Sequence, residues 1–122
     1  MILDDLKAFL IANSLATDSE IIFNFDSSTD NAIVLWKYGS VKTDLGSRPT
    51  IQIAVKDTDQ LTADIRSQAI FDAICPKNKF QESIIINSKT MHIEANQEPF
   101  FNEKDAQNRY IFIFNITVTQ DR

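Results

Sequence analysis

Arg109-Tyr110-Ile111-Phe112-Ile113-Phe114-Asn115-Ile116-Thr117-Val118-Thr119 is the stretch that decides the fold. Strict alternation puts Tyr110, Phe112, Phe114, Ile116 and Val118 on one face, while the other mixes Ile111 and Ile113 with Asn115 and Thr117. Such a strand belongs in the middle of a sheet, with one face packed and the other partly free for neighbours.

Working back towards the N-terminus, residues 90–97 and 83–87 read as two further strands joined by a turn at Asn87-Ser88-Lys89, and residues between Gln97 and Arg109 read as a polar loop. Pro76 ends a helix that starts at the Asp57-Thr58-Asp59 signal and runs to about Cys75. Its expected apolar stripe is Leu61, Ile65, Ala69 and Ala73, widened by Ile70 and Ile74, with Asp64, Gln68 and Asp72 as the polar row.

Before that helix, residues 50–56 place Ile51, Ile53 and Val55 on one side of a strand. Residues 32–38 are apolar on both sides, with Ile33 and Leu35 on one and Val34, Trp36 and Tyr38 on the other, so this strand is covered twice. Residues 20–25 form another strand, followed by a polar turn at residues 26–31. Leu3, Leu6 and Leu10 recur at helical spacing over residues 2–15, with Asp4 and Asp5 where the helix dipole favours negative charge. The fold class is α+β: a mostly antiparallel sheet of about six strands with two helices packed on it, in a single domain spanning residues 1–122.

Twelve basic and seventeen acidic residues give a net charge of −5, which disfavours bulk neutralisation of a nucleic-acid backbone. A hydrophobic share of 43% with three prolines and two glycines is that of a folded chain. One cysteine, Cys75, cannot close an intrachain disulfide and fits a reducing compartment. The acidic start lacks the character of a secretory signal, and no apolar run approaches the roughly 20 residues of a membrane helix, so no membrane partner is expected.

No cofactor or metal site is expected: one cysteine and one histidine do not make a zinc site, and glycines only at 39 and 46 leave no phosphate-cradling loop or nucleophile elbow. His92, Glu94 and Asn96 share a strand face and read as exposed polar surface more readily than as an acid/base cluster. Cys75 reads as a helix-end packing residue. A small enzyme with a carboxylate site would gather Glu94, Asp105 and Arg109 in one pocket; a ligand-binding domain would close an apolar pocket beside Trp36.

The candidate site is an interface. Gly39-Ser40-Val41-Lys42-Thr43-Asp44-Leu45-Gly46-Ser47-Arg48 separates two strands and is long for a hairpin connection. Its mixed charges and flanking glycines suit an arm that orders against another chain, and equally a mobile solvent loop. Gly39, Lys42, Asp44, Leu45, Gly46 and Arg48 are its candidate contacts. Trp36 and Tyr38 serve either as core packing or as an interface anchor. Phe100 and Phe101, after Pro99, either pin their loop to the body or reach a partner.

The order of these pieces resembles the tail terminator proteins of long-tailed bacteriophages, also labelled minor capsid or neck proteins. The likeness lies in the N-terminal helix, Ile33-Val34-Leu35-Trp36-Lys37-Tyr38-Gly39, then Arg48-Pro49-Thr50-Ile51-Gln52-Ile53-Ala54-Val55-Lys56, and Ala69-Ile70-Phe71-Asp72-Ala73-Ile74. It continues through Ala95-Asn96-Gln97-Glu98-Pro99 and the aromatic last strand. Lys56 stands where the family often has arginine, and a compact ammonium cannot form the same planar fork. The resemblance implies a structural virion protein and no enzyme. It implies a homohexameric ring that caps the tail tube protein, meets a head-tail connector protein, and touches DNA only as it passes through. A head completion or adaptor protein is the alternative within the neck.

Overall fold

The computed structural model describes residues 2–24, 30–43, 46–75, 81–86, 89–95 and 97–120. Residues 26–29 of the turn expected at 26–31, residues 87–88 of the turn expected at 87–89, the stop at Pro76, Asn96, and the site candidates Asp44 and Leu45 lie outside them.

Helix α1, Ile2–Ala12, forms because Leu3, Leu6 and Leu10 fall on one face, and all three are buried. It ends earlier than expected, at a turn in which Leu15 N–H donates to Leu10 O (2.9 Å) and Ser14 N–H to Ile11 O (3.1 Å). Ser14 sits at φ 58°, the left-handed conformation that this paired-bond helix ending requires. A single 3-10 turn, Asp18–Glu20, then feeds strand β1, Ile21–Phe23.

β1 runs parallel to β2, Ala32–Thr43, with Ile21 opposite Ile33. β2 pairs antiparallel with β3, Gly46–Asp57. Helix α2, Gln60–Ile74, begins at Asp59, whose carboxylate accepts from Thr62 N–H (3.0 Å). These hydrogen bonds from Thr62, hydroxyl first and then backbone, hold the Asp59 carboxyl below its ordinary value. The rest of the sheet comprises β4, Gln81–Ile86, β5, Lys89–Ala95, β6, Phe100–Lys104, and β7, Tyr110–Gln120.

Strand order is β1-β2-β3-β7-β5-β4, with β6 also on β7. As expected, β7 is central: one edge pairs with β3 from Thr50↔Thr117 to Asp57↔Tyr110. Its other edge is shared, β6 taking the Tyr110 to Ile113 half and β5 the Ile116 to Gln120 half. The fold is therefore α+β, with a mostly antiparallel sheet and two helices. A seventh strand, β6, replaces part of the expected polar loop. Phe100 to Lys104 are all exposed, so no inside-outside alternation marked them as a strand.

Both helices pack on one sheet face, where Leu6, Leu10, Ile70, Phe71 and Ile74 meet Ile33, Leu35, Ile51, Ile53, Phe114 and Ile116. Phe71 meets Phe114 edge to face, with centroids 5.4 Å apart. That contact sets the rotation of α2 and corrects part of its expected stripe, since Ile70 and Ile74 are buried as expected but Leu61, Ile65 and Ala69 are not. Ala63, Ser67, Ile70, Phe71 and Ile74 face inward, while Leu61, Ile65 and Ala69 face outward.

On the opposite sheet face Ala32, Val34, Ala54 and Ile111 form a smaller buried cluster, with Ile22, Trp36 and Ile113 packed around it. β2 thus has apolar residues buried on both faces, as its pattern requires.

Candidate functional site

Residues 39–43 and 46–48 continue strands β2 and β3. Ser40↔Pro49, Val41↔Arg48, Lys42↔Ser47 and Thr43↔Gly46 extend the ladder, which corrects the expectation of an irregular loop. The sequence hid this because glycine, serine and alternating charge read as turn chemistry, whereas backbone pairing needs only two extended segments in register.

The ladder slips between Lys37↔Ile51 and Ser40↔Pro49, so β2 has one residue more than β3 over that interval. The slip is a bulge around Tyr38 and Gly39, the kind of feature that bends a strand and deepens its twist. β1 accompanies β2 only at Ile33 to Leu35, and β7 accompanies β3 only from Thr50 onward. Asn24 closes the β1 side: its N–H donates to Leu35 O (3.0 Å) and its Oδ1 accepts Lys37 N–H (2.8 Å). Past that point the hairpin is a two-stranded ribbon among the described residues, reaching about 15 Å beyond the sheet. Pro49, which cannot donate to a ladder, sits where β3 leaves β7.

The aromatic candidates divide between places. Trp36 is half-buried against the small cluster on the face opposite the helices. Tyr38, 56% exposed, stands at the root of the arm and donates its hydroxyl to Gln52 Oε1 (3.2 Å). Phe100 pairs in register with Ile113, across the sheet from the arm root. Phe101 tilts against Phe112 (5.6 Å) and Tyr110 (6.3 Å), which ties β6 to β7. The structure therefore groups Tyr38 with the arm and sets Phe100 and Phe101 apart from it.

The residues that an enzyme would gather are dispersed. Asp105 and Arg109 close the β6–β7 turn, where Arg109, 1% exposed, donates Nε (2.9 Å) and Nη2 (2.8 Å) to Asp105 Oδ2. Burial pushes the Asp105 carboxyl up, and the hydrogen bonds from Arg109 and from Gln107 N–H outweigh it, leaving the group below its ordinary value. Glu94 lies opposite Thr117, towards the other end of β7. Among the described residues no three His, Cys, Asp or Glu side chains group to hold a metal ion. Cys75 is buried at the end of α2, with its N–H on Phe71 O (2.7 Å), the packing place expected for it. Lys56, 7% exposed, lies in register between Ala32 and Ile111.

One concave feature was not foreseen: a groove of about 580 Å³ between the end of α1 and the outer side of α2, walled by Ile11, Leu15, Ile65 and Ala69. Its polar part is an ion pair, Arg66 Nη1 to Glu20 Oε2 at 2.7 Å. Arg66 Nη2 also donates to Leu15 O (3.2 Å), so one guanidinium joins α2 to the turn after α1 and to the 3-10 turn before β1. Glu20 accepts further bonds from Thr17 N–H (3.0 Å) and Asn31 Nδ2 (3.2 Å). The Arg66 hydrogen bond above all lowers the Glu20 carboxyl from 4.5 to about 2, against the opposing effect of burial.

The described residues thus form a small sheet with helices on one face and a two-stranded ribbon projecting from it, tied internally by the Arg66–Glu20 and Arg109–Asp105 pairs. Over residues 9–122 the chain matches the family model for bacteriophage tail terminator protein, and it belongs to that family. A search of curated proteins gives no match. Membership makes the protein a virion component of structural type. No helix among the described residues is long and apolar enough to cross a membrane.

Proposed function

We propose that this protein caps the phage tail tube as a homohexameric ring once the tube reaches its length, and offers the surface on which the head-tail connector protein docks. The observation that carries the reading is the family match over residues 9–122. The β2–β3 ribbon supports it, because a two-stranded ribbon is marginal in water by itself and gains stability when another chain covers it. Assembly takes place in the host cytoplasm, and DNA meets the protein only in passage. A net charge of −5 suits a bore that repels DNA in transit. The arm candidates Gly39, Lys42, Asp44, Leu45, Gly46 and Arg48, together with Tyr38 at its root, form the first contact in this reading.

The test is a phage whose gene lacks codons 40–47. The shortened protein keeps its folded core, since among the described residues those deleted pair only with each other and with Arg48 and Pro49. Electron microscopy should show tails that fail to join heads, and the yield of joined particles should fall. A normal virion yield, with tails of normal length, refutes the assignment of the arm to assembly.

A further inference from the structure

Helix α2 carries two apolar stripes, and the fold uses one of them. The unused stripe leaves Leu61 65% and Ile65 60% exposed, one turn apart. Across the groove stands Ile11, 38% exposed, at the end of α1. Single exposed aliphatic residues are ordinary. Ile65 and Ile11 line one concavity, and Leu61 continues the apolar surface one turn back along α2, a patch of the kind that marks a binding surface.

Charge selects the occupant. The exposed positions of α2 beside the patch include Asp64 and Asp72, whereas Asp18 in the 3-10 turn before β1 is already paired with Lys7 at 2.9 Å. The one guanidinium in the groove, Arg66, is already engaged by Glu20. In a chain of net charge −5, the segment from residue 37 to residue 48 holds Lys37, Lys42 and Arg48 against Asp44 alone. The arm is thus a basic projection on an acidic protein, complementary to the rim of the groove.

Geometry makes the contact intermolecular. Asn31, immediately before β2, donates to Glu20 in the groove, so the groove lies at the start of that strand. The arm leaves from the far end, after Tyr38, about 20 Å along β2 and directed away.

We propose that the groove between α1 and α2 receives the basic β2–β3 arm of a second copy of this chain. The inference rests on the reading that the protein assembles with itself, and it names the receiving surface. Arm and groove are different patches, so the contact is heterologous, passes from subunit to subunit, and closes into a ring where the rotation permits.

Two proteins lacking Cys75 (Cys75→Ala), one with Ile65→Cys and one with Lys42→Cys, are mixed and oxidised, after matching urea midpoints show that both fold. A disulfide between the two different proteins, in excess over either homodimer, is expected. In parallel, Ile65→Glu in the full chain should weaken self-association by about 30-fold or more in sedimentation equilibrium while leaving the urea midpoint unchanged. A chain that stays monomeric at every concentration without forming the mixed disulfide overturns the docking. So does an oligomer that is indifferent to Ile65→Glu. Neither outcome touches the family membership, and the arm-deleted phage decides separately whether the arm serves assembly; defective tails without docking would place the arm on a different protein.

Discussion

Replacing Glu20 with glutamine tests whether the tie between α1, β1 and α2 is electrostatic. Glu20 Oε2 receives Arg66 Nη1 at 2.7 Å, and Oε1 receives Thr17 N–H at 3.0 Å and the Thr17 hydroxyl at 2.9 Å. Glutamine keeps the shape but turns one acceptor into a donor, which faces either Arg66 or Thr17 with the wrong polarity. Lowering of the carboxyl from 4.5 to about 2 sets a ceiling of about 3.4 kcal/mol at 1.36 kcal/mol per unit. The groove is open to water, and screening brings the expected loss for Glu20→Gln at pH 7 to about 1–2 kcal/mol.

The sign of the pH dependence follows from the direction of the shift. A carboxyl whose folded value lies below its unfolded value adds stability that is fully present above the unfolded value of 4.5 and is lost as pH falls towards about 2. Urea midpoints followed by Trp36 fluorescence at pH 7, 5, 3 and 2 should show the gap between wild type and Glu20→Gln narrowing from about 1–2 kcal/mol to near zero. Comparison at each pH cancels acid effects elsewhere, including that of Asp105. A gap of the same size at pH 7 and pH 2 would refute the electrostatic account and leave packing as the cause. Arg66→Met should remove most of the same acid sensitivity, since Arg66 is the main reason the carboxyl is held down.

Two further outcomes are expected. Arg109→Lys keeps the charge but loses the fork onto Asp105, so chemical denaturation should show a loss of about 1–2 kcal/mol, short of the roughly 3–5 kcal/mol expected for Arg109→Ala, which breaks a buried pair outright. Ser14→Gly relieves a left-handed residue at the end of α1 and should raise the thermal midpoint through a gain of about 0.5–1 kcal/mol; a lower midpoint would mean that the serine side chain contributes more than its backbone costs.

The sequence by itself determined what depends on periodicity within one segment. Alternation in Tyr110 to Val118 marked a central strand, Leu3, Leu6 and Leu10 marked α1, and the Asp57-Thr58-Asp59 signal set the start of α2 at its cap, because each pattern is the imprint of one buried face. The order of these elements carried the family resemblance, which the match over residues 9–122 bears out. The sequence singled out residues 39–48 by their glycines but could not see that residues 40–43 pair with residues 46–49, since a ladder is made by the backbone and leaves no side-chain signature.

Only the tertiary structure decided which stripe of α2 turns inward. Leu61, Ile65 and Ala69 have the same spacing as a core stripe, and it is the meeting of Phe71 with Phe114, on a strand distant in sequence, that turns them out to solvent. The groove beside them exists for the same reason: its walls come from α1 and α2, and its ion pair joins Glu20 to Arg66, residues that no local pattern relates. Periodicity is a property of one segment, whereas rotation, concavity and charge pairing are properties of two segments brought together.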